Sequence, residues 1–244
     1  MSRTIATIEA RMNSSRLPGK VLATAVGKPM IEHMIDRLRF VRELDGIVVA
    51  TTTNRADDEI AQVAAGLGVE CGRGSESDVL QRVLDVAQAS GADVIVELTG
   101  DCPLIDPAIV SSVITRYREA NVDYVSNCLE QSYPLGMETQ VFSTSVLMET
   151  ARRTSDPQDR EHVSLFIYRH PKIFSIENVA APSAEMRPEV RLTLDTPEDL
   201  AVIRAVFEAF KDRSRDFSLG EILRFLDAHP QLTAINAAVT QRHV

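Results

Sequence analysis

The segment Ala10-Arg11-Met12-Asn13-Ser14-Ser15-Arg16-Leu17-Pro18-Gly19-Lys20 combines fixed cations with hydroxyls, an amide and a glycine. From Ala10 to Ile31 the chain carries four cations (Arg11, Arg16, Lys20 and Lys28) and no carboxylate. A loop of this kind at the end of a strand suits phosphate oxygens, because it offers backbone N–H groups, hydroxyls and charge together. Its spacing matches neither a Walker loop nor, at Gly72-Arg73-Gly74, a dinucleotide fingerprint; a solvated basic loop is the alternative. Two aspartates stand in comparable settings. Asp101 follows the apolar run Val94–Leu98 within Thr99-Gly100-Asp101-Cys102-Pro103, and Asp195 follows Val190–Leu194 and opens Asp195-Thr196-Pro197-Glu198-Asp199. An acid past the carboxyl end of a buried strand lies where open α/β sheets bind ligands. Two such carboxylates can share one Mg²⁺ with phosphate oxygens, and a turn or cap role for each is the alternative.

The elements that must position these groups follow from periodicity. Short apolar runs at Thr4–Ile8, Gly46–Thr51, Val94–Leu98 and Val122–Ser126 predict strands, and amphipathic stretches at Met30–Phe40, Asp57–Leu67 and Asp78–Ala89 predict helices. Asp106-Pro107 predicts an N-cap and the first turn of a helix reaching about Arg118. Alternation of the two patterns implies an α/β fold with a mixed, mostly parallel sheet flanked by helices. The second half is less regular. It predicts strands at Glu138–Phe142, Lys172–Asn178 and Val190–Leu194, and helices at Ser145–Arg153, Asp159–Arg169, Thr196–Phe210 and Ser218–Ala228. We expect one domain over residues 1–244, with 1–127 as a nucleotide-binding half and 128–244 as an acceptor-binding half carrying the C-terminal helices.

The chain has 244 residues, 26 Lys and Arg against 35 Asp and Glu, and a net charge of −9. That balance argues against a nucleic-acid binder and against a polybasic membrane binder. Three cysteines, Cys71, Cys102 and Cys128, form no CxxC pair, which predicts buried thiols in a reducing, cytoplasmic setting. The longest stretch without Asp, Glu, Lys or Arg, Ala228–Gln241, is too short and polar to cross a bilayer.

Taken together, Ala10–Leu22, Gly27–His33, Gly74–Arg82, Thr99–Pro107, Pro134–Phe142, Glu161–Pro171 and Leu192–Leu200 resemble the sugar nucleotidyltransferases, specifically the cytidylyltransferases of the spore-coat polysaccharide and acylneuraminate type. Ketodeoxyoctulosonate cytidylyltransferases share Arg16-Leu17-Pro18-Gly19-Lys20, Gly27-Lys28-Pro29-Met30-Ile31 and Asp195-Thr196-Pro197-Glu198-Asp199-Leu200. The resemblance implies a Rossmann-like (GT-A-like) nucleotidyltransferase fold. It also implies transfer of CMP from CTP to a sugar acid or sugar phosphate, with Mg²⁺ as cofactor and a homodimer as the assembly. Arg11, Arg16 and Lys20 would grip the triphosphate with Ser14 and Ser15, flanked by Ala10, Met12 and Gly100. Asp101 and Asp195 would hold the metal, and Arg16, Lys20 and Asp101 would carry catalysis. The base would meet Thr51, Thr52, Ser75 and Asp78, with Arg82 in reach; a surface salt bridge is the alternative for Arg82. The acceptor would meet Tyr133, Gly136 (through close approach), Glu138 and Gln140, with Glu161 and His162 beside them. His33, beside an apolar helical stripe, reads as structural.

Two residues depart from the pattern. Glu9 stands where Gln is expected, and Asn13 where Gly is usual. A guanylyltransferase, a glycosyltransferase and a non-catalytic nucleotide-binding protein on the same fold are the competing readings. The second would be favoured by an Asp-x-Asp motif, which the chain lacks, and the third by loss of Lys20, Asp101 or Asp195.

Overall fold

A computed structural model describes residues 2–213 and 217–241. In chain order the first half runs β1 (Thr4–Glu9), β2 (Thr24–Ala25), β3 (Lys28–Pro29), α1 (Met30–Leu38), β4 (Gly46–Thr52), α2 (Asp58–Gly66), β5 (Glu70–Gly74), α3 (Val79–Ala89), β6 (Val94–Thr99) and α4 (Pro107–Glu119). The second half adds β7 (Tyr124–Ser126), β8 (Gln140–Ser143), α5 (Thr144–Arg153), α6 (Pro157–Glu161), α7 (Leu165–Arg169), β9 (Ile176–Asn178), α8 (Pro197–Ala209), α9 (Leu219–Ala228) and α10 (Pro230–Asn236).

Seven strands form one sheet in the order β5-β4-β1-β6-β8-β7-β9, and β2 and β3 form a small hairpin. β5, β4, β1 and β6 are mutually parallel, whereas β8 runs antiparallel to both β6 and β7. This is the mixed, mostly parallel sheet that the alternating pattern implies. Helices cover both faces. Ile31, Met34 and Ile35 of α1, Ile60 of α2 and Val110 and Val113 of α4 pack on one side; Leu80 and Val83 of α3, Leu147 of α5 and Ile167 of α7 pack on the other. A third cluster lies under α8 and α9 around Val206, Phe207, Phe217 and Ile222.

Caps set several boundaries. Asp106 accepts the Ala108 N–H at 2.8 Å, and Asp78 accepts that of Gln81 at 3.0 Å. Thr196 with Asp199, and Ser218 with Glu221, form reciprocal capping boxes that satisfy free donors at the helix starts. His33 is buried, stacked on Phe207, with Nε2 2.8 Å from the Ala25 carbonyl oxygen.

Three expectations need correction. The helix expected over Asp159–Arg169 is two short helices, because Val163 between them takes a left-handed φ of 30°, a strained conformation for a β-branched residue. Val190–Leu194 does not join the sheet. Its backbone divides between partners: Leu192 donates to the Leu135 carbonyl at 2.7 Å and Leu194 to that of Asp101 at 2.8 Å, leaving one isolated bridge, Leu135 to Arg191. The strand expected from Lys172 begins only at Ile176, and Ile173 and Phe174 instead close a turn onto the His170 carbonyl.

Candidate active site

A cavity of about 1360 Å³ opens at the carboxyl ends of β1 and β6, between the loop after β1 and residues of β8, α6 and α7. Its floor is built by the Ala10–Lys20 loop. Gly19 adopts φ 71°, which a glycine takes without steric cost, and its N–H donates to the Met12 carbonyl at 2.8 Å. The chain then turns into a single 3₁₀ turn, Lys20–Leu22, that points Lys20 across the strand ends. Lys20 Nζ donates to Asp101 Oδ2 and to Asp195 Oδ1, each at 2.8 Å.

The two aspartates are 94 positions apart in the chain, and the irregular Leu192–Leu194 segment brings them together. The Leu194 N–H donates to the Asp101 carbonyl, and so does Thr193 Oγ1 at 3.3 Å. Asp195 also meets Arg16 at 2.8 Å and Arg191 at 2.7 Å. Arg191 is itself held by Asp199 at 2.8 Å, and Asn236 of α10 donates to that same carboxylate at 3.0 Å. Burial alone would lower the Lys20 ammonium, but the charges of Asp101 and Asp195 outweigh it and raise the group above its ordinary value. Burial alone would raise the Asp195 carboxyl, and Lys20 and Arg16 reverse that and lower it. Lys20 and Asp195 each favour the charged form of the other.

Two carboxylates converging on a single cationic centre, Lys20 Nζ, are a donor set that fits a hard divalent cation with phosphate oxygens completing its shell. Among the described residues no group of three or more His, Cys, Asp or Glu side chains is arranged to hold a metal by itself.

The residues expected to meet the nucleotide divide into two sets. Ala10, Arg11, Ser14, Ser15, Arg16, Lys20, Arg82, Gly100 and Asp101 line the cavity. Met12, Thr51, Thr52, Ser75 and Asp78 do not. Met12 packs against the core beneath α1, while its N–H donates to Asp57 Oδ1 at 2.7 Å. Thr51 and Thr52 are fully buried, and the Thr52 hydroxyl donates to Asp57. Ser75 Oγ accepts the Asp78 N–H, and Asp78 caps α3 and pairs with Arg160 at 2.6 Å. Arg82 is buried rather than in a surface salt bridge, and it donates from Nη1 to the Ser75 carbonyl.

Of the expected acceptor residues, Glu138, Gln140, Glu161 and His162 line the cavity, whereas Tyr133 and Gly136 do not. Tyr133 belongs to the cluster under α8 and α9. Gly136, at φ 103°, does permit a close approach, but of the chain itself: a Cβ there would lie 2.7 Å from the Leu192 carbonyl carbon and the Thr193 nitrogen. Glu138 accepts the Gly136 N–H at 2.7 Å, and burial pushes its carboxyl up to about 7. Gln140 Oε1 accepts from Tyr124 Oη at 2.5 Å and from Ser164 Oγ at 2.6 Å. Burial lowers His162.

Several cavity residues escape the sequence reading: Glu97, Ser164, Tyr168 and Gln241; beside them Arg191, buried between Asp195 and Asp199, was missed too. Glu97 had a signal, being the lone charge in an apolar strand, Val94–Thr99. Of the cysteines, Cys102 is buried and Cys71 and Cys128 are partly so; all three are free. Burial drives the Cys128 thiol up to about 12, which leaves it a thiol at neutral pH.

A parallel-centred sheet, a cationic loop after its first strand and two aspartates that converge on Lys20 define a nucleotidyltransferase. The chain belongs to the cytidylyltransferase family, whose model matches residues 5–226. It is 32% identical to the spore coat polysaccharide biosynthesis protein SpsF of Bacillus subtilis, over 91% of this chain and 93% of that one. It is 40% identical to the 3-deoxy-manno-octulosonate cytidylyltransferase of Geobacter sulfurreducens over a shorter span, 47% of this chain and 45% of that one. A cytidylyltransferase structure from Leptospira borgpetersenii superposes with a TM-score of 0.90 at 29% identity, covering all of both chains.

Proposed function

We propose that the protein transfers CMP from CTP to a sugar acid, releasing pyrophosphate, for surface polysaccharide or glycoconjugate synthesis; a sugar phosphate is the second acceptor class. The observation that carries this reading is the position of Lys20 between Asp101 and Asp195 at the mouth of the sheet, in a member of the cytidylyltransferase family. In the reaction an acceptor oxygen attacks the α-phosphorus and the pyrophosphate leaves with extra negative charge. Lys20 and Arg16, fixed in place before substrate arrives, stabilise that charge, and Arg11 adds to the grip on the triphosphate. Ser14 and Ser15 hydrogen-bond its oxygens, with Ala10 and Gly100 allowing close packing beside them. Asp101 and Asp195 would hold Mg²⁺, which when bound would supply positive charge and Lewis-acid polarisation to the reaction. Arg82 reaches the base side, and Glu138, Gln140, Glu161 and His162 face the acceptor.

We further take the chain to work as one nucleotidyltransferase unit, in a homodimer, in the cytoplasm. No helix among the described residues is long and apolar enough to cross a membrane. Incubation with each nucleoside triphosphate, Mg²⁺ and a panel of ulosonic acids and sugar 1-phosphates tests the reading. Pyrophosphate release that requires CTP and one sugar acid is expected. Tight nucleotide binding with no release from any pair would overturn it.

A further inference from the structure

The cavity has walls of opposite character. Its four cations, Arg11, Arg16, Lys20 and Arg82, all come from the first 82 residues, while the cavity-lining residues between Cys128 and Pro188 include two carboxylates, Glu138 and Glu161, and neither Lys nor Arg.

Where the walls join lie Glu9, the last residue of β1, and Glu97 of β6. The parallel register sets Thr7 beside Glu97 and Glu9 beside Thr99, so the two carboxyls lean together and hydrogen-bond each other. Both line the cavity, and Ser164 is in hydrogen-bond reach of Glu97. Oε1 of Glu9 and Oε2 of Glu97 are closed off from solvent and receive no N–H or hydroxyl donor from the other described residues, and Glu97 is only 4% exposed. Arg82, whose charge acts on Glu9, has its Nη1 committed to the Ser75 carbonyl. Burial raises both carboxyls, Glu9 to about 7, although Arg82 and Arg11 work the other way and Asp101 adds to the rise. The pair therefore holds a proton at neutral pH. Folding alone does not call for an acid at position 9. Gln, the residue expected there, would donate an N–H to Glu97 without adding a charge.

We propose that Glu9 and Glu97 form a subsite for a protonated amino group, so that the preferred acceptor is a sugar acid carrying a free amine. The ammonium donates to the carboxyl oxygens of Glu9 and Glu97 where the pair lines the cavity, and neighbouring hydroxyls of the sugar meet Gln140 and Ser164. No bond is made or broken at this subsite. The proposal rests on the sugar-acid reading above.

The test uses the full chain with CTP and Mg²⁺ and three ulosonic acids that differ at one carbon: free amine, N-acetyl amine and hydroxyl. Charge-assisted hydrogen bonds from an ammonium predict about a 10- to 100-fold preference in kcat/KM for the amine over the hydroxyl acceptor. Glu9→Gln and Glu97→Gln should each bring that ratio close to unity, mainly through the acceptor KM. Equal or better use of the N-acetyl or hydroxyl acceptor by the unaltered protein would overturn the proposal, and so would a ratio unmoved by both substitutions. A rise in the KM for CTP with acceptor preference intact would place the pair at the base instead, which also overturns it. No pyrophosphate from any of the three, with CTP still binding, removes the sugar-acid reading and the subsite together.

Discussion

Asp195 and Glu97 face the same cavity, and both are nearly buried at 7% and 4% exposure, yet they exist in opposite states. Asp195 is surrounded by Lys20, Arg16 and Arg191 and stays ionised. Glu97 has a second carboxyl for a neighbour, and burial together with that neighbour raises it well above its ordinary value. Depth does not separate them. The difference lies in whether cations were supplied, which shows that one side of the cavity is prepared to receive negative charge and the other to receive hydrogen-bond donors.

The most severe way to break the contrast is Lys20→Ala, which removes the cation shared by Asp101 and Asp195. Turnover should fall about 10³-fold, close to 4 kcal/mol in transition-state stabilisation, with the fold retained by circular dichroism. Near-normal pyrophosphate release would dismiss Lys20 from the machinery. Next is Asp199→Asn, at a residue with no exposure, which halves the support of Arg191. Leaving a buried guanidinium short of its partner should destabilise the protein by about 3 kcal/mol in urea unfolding; a loss under 1 kcal/mol would show that Asp195 alone suffices.

The third prediction acts on the other side. Glu9 has an ordinary value of 4.5 and is raised to about 7 in the folded chain, so the folded state retains a proton that the unfolded state gives up. Stability from this group is present below about pH 4.5 and is lost as pH rises towards 7 and beyond. Glu9→Gln should therefore gain on the parent protein as pH rises, by roughly 1–3 kcal/mol at pH 8. A gain that is larger at pH 5 than at pH 8 would contradict the assignment. The smallest effect is a control outside the cavity: Glu177→Ala breaks the exposed pair with Arg116 at 2.5 Å and should leave the urea unfolding midpoint essentially where it was.

Elements with local signals were legible in the sequence. Asp106-Pro107 and Thr196-Pro197 announce helices because a cap and a proline act within one turn. Likewise the Ala10–Lys20 loop declares itself by composition. Features fixed by distant partners were not legible. β5, with Glu70, Gly72, Arg73 and Gly74, has little strand propensity and forms because β4 offers an edge beside it. α10 begins at Pro230 in a stretch with no charged residues, and its Asn236 is fixed by Arg191 and Asp199. Leu192–Leu194 reads as a strand because its residues are apolar, yet its backbone is shared between Leu135 and Asp101. In the site the same rule holds. Lys20 and Asp101 stand in recognisable motifs, whereas Arg191, Ser164 and Gln241 matter only through what the fold brings to them.

Gly136 has a consequence for how this protein can change. Its α-carbon lies so close to the Leu192–Thr193 backbone that no side chain fits, and that backbone also holds Asp101 and Asp195 in register. A laboratory or natural lineage seeking a new acceptor therefore cannot remodel the site from this position without also disturbing the two aspartates. Variation that preserves turnover should accumulate on the opposite rim, at Gln140, Ser164 and Tyr168, which line the cavity while their backbone holds neither aspartate.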